Sequence, residues 1–314
     1  MGRPPWPALH DAILGWYESH GRRLAFRGTR DPYAILVSEA MAQQTQAARA
    51  GESWVRFMET FPTVATLASA TPADVLRAWQ GLGYNRRALN LWRAARRIVD
   101  VHGGRVPSDL GALGDLPGVG PYTARAVAAI AFGLPVGAVD TNVRRVIGRI
   151  VAGDDGILGT SAMQVVADEA VPVDRPGAWA HAVMDLGATI CLPRRPDCAA
   201  CPAVAWCRYA ARGQRAIAAA SPPSVGERQA GSKRATRVVA PLFPATSRWL
   251  RGRIVDRLRS AGGDEWVVID GPIGTHDHRA VLVALDALAH EGLVELDASD
   301  PAGGAVPRAR LPVA

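Results

Sequence analysis

One acidic residue stands out near the middle of the chain. Asp140 follows the apolar stretch 134–139 and is itself followed by a row of arginines. These arginines are Arg144, Arg145 and Arg149. A carboxylate beside several cations is suited to chemistry on a polyanion such as DNA.

Residues 116–120, with the sequence LPGVG, predict a tight hairpin upstream of that carboxylate. Gly118 and Gly120 permit backbone conformations that are closed to other residues, and Pro121 suits the first turn of a helix. An apolar, alanine-rich helix is predicted over 123–132. The N–H groups at the start of such a helix point outward and can bind a phosphate oxygen.

A predicted helix over 34–57 carries polar residues in an apolar setting. Glu39 lies among core-like residues, so it is either an unusual buried acid or a residue that caps or pairs on the helix surface. Three glutamines fall within the stretch 43–46, including Gln43 and Gln44. They are unusual for a buried face and suit hydrogen bonding to base edges.

Two ring-bearing residues are further candidates. Tyr84 in the string GLGY precedes Arg86 and Arg87, and an aromatic ring on a glycine turn can replace an extruded base in a DNA stack. An ordinary turn between helices with a packed tyrosine explains the same string. His181 precedes an apolar stretch, where a structural histidine is the common alternative.

All four cysteines lie close together as C-x6-C-x2-C-x5-C. They are Cys191, Cys198, Cys201 and Cys207. In an intracellular chain four thiolates around a metal are a better explanation than two disulfides. Zinc sites usually have two close cysteine pairs, and this pattern has one, so the spacing favours a [4Fe–4S] cluster over zinc.

The composition indicates an intracellular protein that binds a polyanion. The 314 residues carry a formal net charge of +7 with a pI of 9.8. Lys233 is the only lysine, a bias that a GC-rich genome explains equally well, and it lies in a predicted linker. Strand cleavage through a lysine Schiff base is therefore not expected. No long apolar run or secretion signal is seen, so we expect no membrane span and a cytoplasmic, nucleoid-associated location.

The C-terminal residues predict a separate module. Residues 216–240 are rich in Ala, Ser, Pro, Gly and Arg and predict a flexible basic linker. Beyond it, helices are predicted over 247–260 and 277–291 and strands over 266–269 and 293–296. This alternation resembles a winged-helix module over 241–314, and its partner could be DNA or protein.

The string LPGVGPYTARAVAAIAFG followed by VDTNVRRV resembles the helix-hairpin-helix DNA glycosylase superfamily, which includes endonuclease III-like enzymes. SEAMAQQTQ, GLGY and the cysteine pattern narrow the resemblance to MutY-type adenine DNA glycosylases, over roughly residues 8–210. The resemblance implies a mainly α, two-lobed fold. An iron–sulfur cluster lobe would comprise 1–27 and 134–215, and a six-helix lobe 28–133. The implied partner is double-stranded DNA with a mispaired or damaged base, bound by a monomer.

The resemblance also implies roles for individual residues. Asp140 matches the catalytic aspartate, and Glu39 matches the acid that separates adenine glycosylases from the lyase branch. Tyr122 stands where the lyases carry their Schiff-base lysine, and Asn142 matches the pocket asparagine. The residues that match DNA-contacting or base-contacting positions are Gln43, Gln44, Tyr84, Arg27, His181, Gly118 and Gly120. The four cysteines would hold the [4Fe–4S] cluster.

A pair of carboxyl groups agrees with the chemistry of this family. Adenine leaves the sugar poorly unless one of its ring nitrogens is protonated, so a carboxylic acid must donate a proton. A second, ionised carboxylate stabilises the cationic sugar. Glu39 and Asp140 therefore favour a purine over uracil, which leaves as a stabilised anion.

Three positions near base recognition depart from the family pattern. Phe26 replaces a tryptophan, Asn85 replaces a second tyrosine after GLGY, and His181 replaces the Gln or Glu that would bond the adenine edge. Residues 241–314 also lack the acidic motif of the Nudix-like domain that often senses 8-oxoguanine. Adenine opposite 8-oxoguanine is the expected substrate. The alternatives are the same reaction on hypoxanthine, uracil or a modified base, and a non-catalytic DNA-binding iron–sulfur protein.

Overall fold

The computed structural model describes residues 4–154, 156–219, 242–262, 265–297 and 307–313. Most of the predicted linker, 220–240, lies outside these ranges, whereas residues 216–219 belong to a helix instead of a linker. Within the described ranges, no helix is both long enough and apolar enough to cross a membrane.

Helices dominate the described part of the chain, which confirms the expected mainly α fold. They are α1 Trp6–His20, α2 Pro32–Ala42, α3 Ala47–Thr60, α4 Val64–Ser69, α5 Pro72–Ala78, α6 Arg86–His102, α7 Leu110–Gly114, α8 Pro121–Phe132, α9 Thr141–Ala152, α10 Thr160–Glu169, α11 Pro176–Thr189, α12 Arg208–Ala219, α13 Ser247–Ser260 and α14 His278–His290. The strands β1 Val267–Val268, β2 Glu295–Leu296 and β3 Arg308–Arg310 form an antiparallel sheet in the order β1-β3-β2.

The chain divides into two compact units. The first unit comprises Met1–Glu39 and Val106–Glu227, and the second unit comprises Ala40–Arg105 and Arg228–Ala314. These boundaries differ from those of the predicted lobes, since the hairpin falls in the same unit as the cysteines. The division into an iron–sulfur cluster lobe and a six-helix lobe remains a prediction.

The first unit is built around α11. This helix packs against α1, α8 and α9, and apolar side chains such as Ile13, Val146 and Val183 form the buried core between them. The alanines of α8 are small, so neighbouring helices can approach it closely. Gly177 at the start of α11 is one such place, because an added Cβ would lie 3.1 Å from the Cα of Ile130.

The predicted hairpin connects α7 to α8. Asp109 caps α7 by accepting a hydrogen bond from the Ala112 N–H at 3.0 Å, and Pro121 occupies the first turn of α8, as expected. Gly118 has φ +80°, which requires glycine. Gly120 has φ −88° and ψ 176°, an extended conformation that any residue adopts. The expectation of special backbone geometry was therefore confirmed for Gly118 and wrong for Gly120.

The second unit contains α3 to α6 together with the C-terminal helices and sheet. Helix α6 packs on α4 and α5, and α13 packs on α5 and α14. The predicted helix 34–57 is in fact two helices, α2 and α3, separated by residues 43–46. Helix α13 has the predicted bounds and α14 differs from its prediction by one residue at each end. Strand β3 was not predicted.

Candidate active site

The carboxylate of Asp140 is positioned by the start of α9. It caps this helix by accepting a hydrogen bond from the Val143 N–H at 2.6 Å, and the Asn142 amide donates a second at 3.1 Å. Helix N-termini and N–H donors stabilise negative charge on such a carboxylate. The position of Asp140 thus follows from local sequence, because Asp is a preferred N-cap residue.

A buried arginine fixes Asn142 in turn. Arg145 donates to Asn142 Oδ1 at 2.7 Å, to the Gly187 carbonyl at 2.6 Å and to the Cys191 carbonyl at 2.6 Å. Gly187 permits this arrangement, since a Cβ on it would lie 2.6 Å from the Cβ of Asn142. A continuous set of hydrogen bonds therefore leads from the cysteine segment through Arg145 and Asn142 to Asp140.

Glu39 lies on α2 and interacts with Tyr122 and Asp140. Burial raises the pKa of Glu39 to about 7; a hydrogen bond from Tyr122 lowers it, the Asp140 charge raises it and the Arg27 charge lowers it. Burial and the charges of Glu39 and Asp140 hold the pKa of Tyr122 well above its ordinary value, so its hydroxyl stays a donor. The structure therefore brings Glu39, Tyr122 and Asp140 together, with one carboxyl group that is still partly protonated near neutral pH.

Arg27 is held by a buried acid that the sequence analysis did not single out. The Arg27 guanidinium donates to both oxygens of Asp185, at 2.5 and 2.7 Å, and the Asp185 side chain is 0% exposed. Arg22 adds its backbone N–H at 2.8 Å and its Nε at 2.7 Å. Burial alone would raise the pKa of Asp185, but these donors hold it below its ordinary value. Arg27 is thus ion-paired with Asp185 within the protein. Its contact with DNA or with a base remains a prediction.

His181 lies on α11 near Tyr17, with the two ring centres 6.4 Å apart. Burial, reinforced by the positive charges of Arg27 and Arg22, lowers the pKa of His181 to about 3, although Asp185 opposes this shift. The imidazole is therefore neutral at physiological pH. A neutral imidazole offers one donor and one acceptor nitrogen.

The four cysteines are free thiols that line one cavity of the first unit. Arg149 of α9 lies beside them: it donates to the carbonyls of Leu192 and Pro193 at 2.8 Å each and lies 3.5 Å from the Cys191 Sγ. Across the described ranges, no three His, Cys, Asp or Glu side chains are placed to hold a single metal ion. An all-thiol set beside a guanidinium suits a group that carries negative sulfur ligands.

The glutamine and tyrosine candidates lie in the second unit. Gln44, between α2 and α3, has φ +57°, and Tyr84, before α6, has φ +46°. Positive φ at residues other than glycine is uncommon and often marks functional loops. Both residues are exposed, Tyr84 by 41%. Because they are exposed on strained turns, these two side chains can reach a ligand outside the protein.

Arg87 holds the two turns in place, and its role was missed by the sequence analysis. It donates to the carbonyls of Ala40 at 2.8 Å, Met41 at 3.1 Å and Gln43, and also to Thr45 Oγ1 at 3.2 Å. Further bonds reach the carbonyls on the other turn, at Leu82 and Gly83. Burial lowers the pKa of Arg87 to about 10, so it remains charged at neutral pH. The only sequence signal was its place three residues after Tyr84 of GLGY.

The hairpin, the capped carboxylate and the nearby acid with a raised pKa define a class: helix-hairpin-helix proteins equipped for chemistry on nucleic acid. Residues 37–164 match the family model described as HhH-GPD superfamily base excision DNA repair protein. The adenine DNA glycosylase of Mycobacterium tuberculosis is 42% identical over 253 residues, which are 79% of this chain and 78% of that protein. The adenine DNA glycosylase of Mycolicibacterium smegmatis is 37% identical over 285 residues, with 90% and 91% covered. This chain belongs to the adenine DNA glycosylase family of the HhH-GPD superfamily.

A solved structure agrees with this assignment. A thermostable thymine-DNA glycosylase matches with a TM-score of 0.62 and 31% identity, covering 66% of this chain and 97% of that one. The proteins that this chain resembles are named for different bases, adenine in the mycobacterial relatives and thymine in this structure. The fold alone therefore does not decide which base is released.

Proposed function

We propose that the chain is a monofunctional DNA glycosylase of base excision repair that hydrolyses the N-glycosidic bond of a flipped adenine mispaired with 8-oxoguanine. One observation carries the proposal: Glu39, whose pKa is raised to about 7, interacts with the helix-capping carboxylate of Asp140. The reaction needs one carboxyl group that gives up a proton and another that remains an anion. The names of the mycobacterial relatives support adenine as the base.

The two carboxyl groups divide the reaction between them. The enzyme takes the adenine nucleotide out of the duplex, and Glu39 donates its proton to a ring nitrogen of the base. The electron pair of the C–N bond then leaves with neutral adenine, and the Asp140 carboxylate stabilises the positive charge on the sugar. Water adds to the sugar carbon and its proton returns to Glu39, so the products are adenine and an abasic site.

Tyr122 and Asn142 position these groups. Tyr122 hydrogen-bonds to Glu39 and, as an uncharged phenol, cannot form the Schiff base of a lyase. Asn142 accepts a hydrogen bond from Arg145 and donates one to Asp140, so it links the buried arginine to the carboxylate. The one lysine of the chain, Lys233, lies far from these residues in sequence and outside the described ranges. Base release should therefore leave the strand unbroken.

The neutral imidazole of His181 supports a purine edge as its ligand. Its donor nitrogen can donate a hydrogen bond to a purine ring nitrogen, and its acceptor nitrogen can accept one from an exocyclic amine. The same donor serves the carbonyl of hypoxanthine, so a second candidate is the identical reaction on that base. We expect His181→Gln to shift the preference further toward adenine, because an amide presents a fixed donor and acceptor together.

The residues present fit a [4Fe–4S] cluster. Such a cluster binds one thiolate at each iron, so its ligands must line one cavity without meeting at one point, as the four cysteines do. Cys191, Cys198, Cys201 and Cys207 would hold it, and Arg149 would offset its negative charge. When bound, the cluster would fix the segment whose Cys191 carbonyl accepts a hydrogen bond from Arg145.

The C-terminal residues 241–314 suit a winged-helix-like module. Helix α13, strand β1, helix α14 and the antiparallel pair β2 and β3 follow one another in an order that resembles this fold, with one helix instead of two between β1 and β2. Residues 298–306, which connect β2 to β3, lie outside the described ranges. We further propose that the enzyme acts as a monomer on double-stranded DNA.

Single-turnover excision on a panel of duplexes tests the proposed function. Adenine opposite 8-oxoguanine, hypoxanthine opposite thymine, uracil opposite guanine and thymine opposite guanine would be compared. We expect the first duplex to react fastest and to yield strand breaks only after hot alkali. Faster release of another base would transfer the assignment to that base, and borohydride trapping of a covalent complex would refute the monofunctional mechanism.

The cluster is tested separately on the purified holoprotein. We expect visible absorption together with bound iron and sulfide, both lost in Cys198→Ser. Zinc without visible absorption would refute the cluster.

A further inference from the structure

The Tyr84 ring contacts two guanidinium groups that come from different parts of the second unit. The guanidinium carbon of Arg248, on α13, lies 4.1 Å from the centre of the Tyr84 ring and 5.9 Å from that of Phe243. Arg87 lies 5.5 Å from the Tyr84 ring and 5.4 Å from Trp79. Rings and cations thus alternate from Trp79 to Phe243, and stacking of this kind orients the tyrosine.

Helix α13 is fixed against the Tyr84 turn by an arginine at its C-terminal end. Arg259 donates to Asn85 Oδ1 at 2.8 Å and to the Leu76 carbonyl at 2.8 Å, and its side chain is only 5% exposed. Asn85 is one of the three departures from the family pattern. The departure therefore has a use: this side chain anchors the helix that carries Arg248.

A groove of about 770 Å³ lies along this contact. It is lined by the Gln44 and Tyr84 turns and by α13. Its wall contains two arginines whose charge is balanced locally, since Arg251 pairs with Glu291 at 2.6 Å and Arg253 pairs with Asp256 at 2.5 Å.

Three other arginines of the groove are exposed: Arg49, Arg86 and Arg248. In the part of the chain that the structure describes, none of the three has a carboxylate within ion-pair distance. The groove therefore presents uncompensated positive charge directly beside Tyr84.

We propose that this groove binds the DNA backbone, with Arg248 of α13, together with Arg49 and Arg86, contacting phosphates next to the point where Tyr84 enters the duplex. The inference rests on the proposed action on DNA and gives the C-terminal module a direct part in substrate binding. The positive charge of the groove supports the DNA backbone as its ligand, because closely spaced phosphates match guanidinium groups that have no carboxylate partner. Position supports it too, because the groove is continuous with the two strained turns.

The test compares Arg248→Gln with Arg257→Gln in the full-length chain. Arg257 is exposed on the same helix but does not line the groove, so it controls for net charge. Fluorescence anisotropy on an undamaged duplex gives Kd as a function of salt concentration. Loss of one phosphate contact should lower the slope of log K against log salt by about 0.9 and raise Kd by about 5-fold near physiological salt. Arg257→Gln should change neither quantity.

Arg49→Gln is the second variant, and it keeps the inference testable if Arg248→Gln does not fold. It should reduce the salt slope by a similar amount, because no described residue bonds to the Arg49 side chain. Variants at Arg248 and Arg49 that bind as Arg257→Gln does would overturn the proposal, and so would a weaker Kd with an unchanged slope. Excision at saturating enzyme is measured in parallel. A wild-type protein that releases no adenine would refute the proposed function while leaving the binding comparison intact.

Discussion

In the first unit the candidate catalytic side chains are partly buried and held by other side chains. Asp140 depends on Asn142, and Asn142 on Arg145, which is 7% exposed. In the second unit Gln44 and Tyr84 are exposed, and it is their backbone that is constrained, with Arg87 bonding the carbonyl groups of both turns.

The two arrangements suit two tasks. Proton transfer at neutral pH needs a carboxyl group whose pKa is far from its ordinary value, and burial supplies that shift at Glu39. The proposed entry of Gln44 and Tyr84 into a duplex would need side chains that are accessible yet do not move freely, and a strained turn fixed by an arginine meets that need. Substitutions in the first unit should therefore change the rate of the chemical step, and those in the second unit should change binding and stability.

The largest effect is expected from Asp140→Asn. Asparagine is as good an N-cap as aspartate, so α9 should remain intact, but the negative charge that stabilises the sugar cation is lost. We expect the single-turnover rate of adenine release to fall by about 10³-fold or more, with duplex binding retained.

Asp109→Asn is the matched control, because Asp109 is also an N-cap carboxylate of the first unit, on α7. It should leave excision unchanged. Normal turnover by Asp140→Asn would contradict the assigned role.

Glu39→Gln should have the next largest effect. Glutamine keeps the size of the side chain but has no acidic proton, so adenine release should slow by about 10²- to 10³-fold. In the wild type the pKa of Glu39 is raised to about 7, which means that the acid form is present below pH 7 and lost above it. The rate should therefore fall as the pH rises through about 7, and this fall should be absent in Glu39→Gln.

Glu18→Gln is the control, since Glu18 is an exposed acid of α1 paired with Arg175. It should keep the wild-type rate and pH profile. A wild-type rate that stays level from pH 6 to pH 8, on either side of that pKa, would show that the leaving base needs no proton from Glu39.

Local features of the molecule could be predicted from the sequence. The bounds of α13 follow from its apolar periodicity, and the place of Asp140 follows from its capping position. Gly118 could be predicted because the short turn LPGVG requires positive φ. Each of these depends on interactions between residues that are neighbours in sequence.

Features that depend on distant residues could not be predicted. Asp185 binds an arginine 158 positions away, and Arg87 bonds to carbonyls more than 40 positions away. The break between α2 and α3 also depends on a distant residue. The sequence of residues 34–57 predicts one helix, but Arg87 bonds to the Gln43 carbonyl in the segment that separates the two helices. Strand β3 pairs with both other strands, and pairing of this kind leaves only a weak signal in a three-residue segment.

Arg87→Gln tests whether Arg87 holds the two strained turns of the second unit. The substitution leaves several partly buried carbonyl groups without a donor, so we expect the free energy of unfolding to fall by about 2–4 kcal/mol in chemical denaturation. Duplex binding should weaken, whereas excision at saturating enzyme should change less. Arg97→Gln, at an exposed position of the same helix α6, should be close to neutral. Equal stability of the two variants would show that Arg87 does not hold the turns.

The smallest effect is expected from substitution of Gly118 and Gly120, the two hairpin glycines, which differ in backbone conformation. Gly118→Ala places a side chain at φ +80° and should cost about 1 kcal/mol of unfolding free energy. Gly120→Ala should cost none, because its backbone is extended and no atom lies within 4 Å of an added Cβ. If a phosphate approaches the start of α8, Gly120→Ala should still weaken duplex binding, since the new methyl group would occupy that space. Unchanged stability in both variants would contradict the strain at Gly118, and unchanged binding in Gly120→Ala would place the phosphate elsewhere.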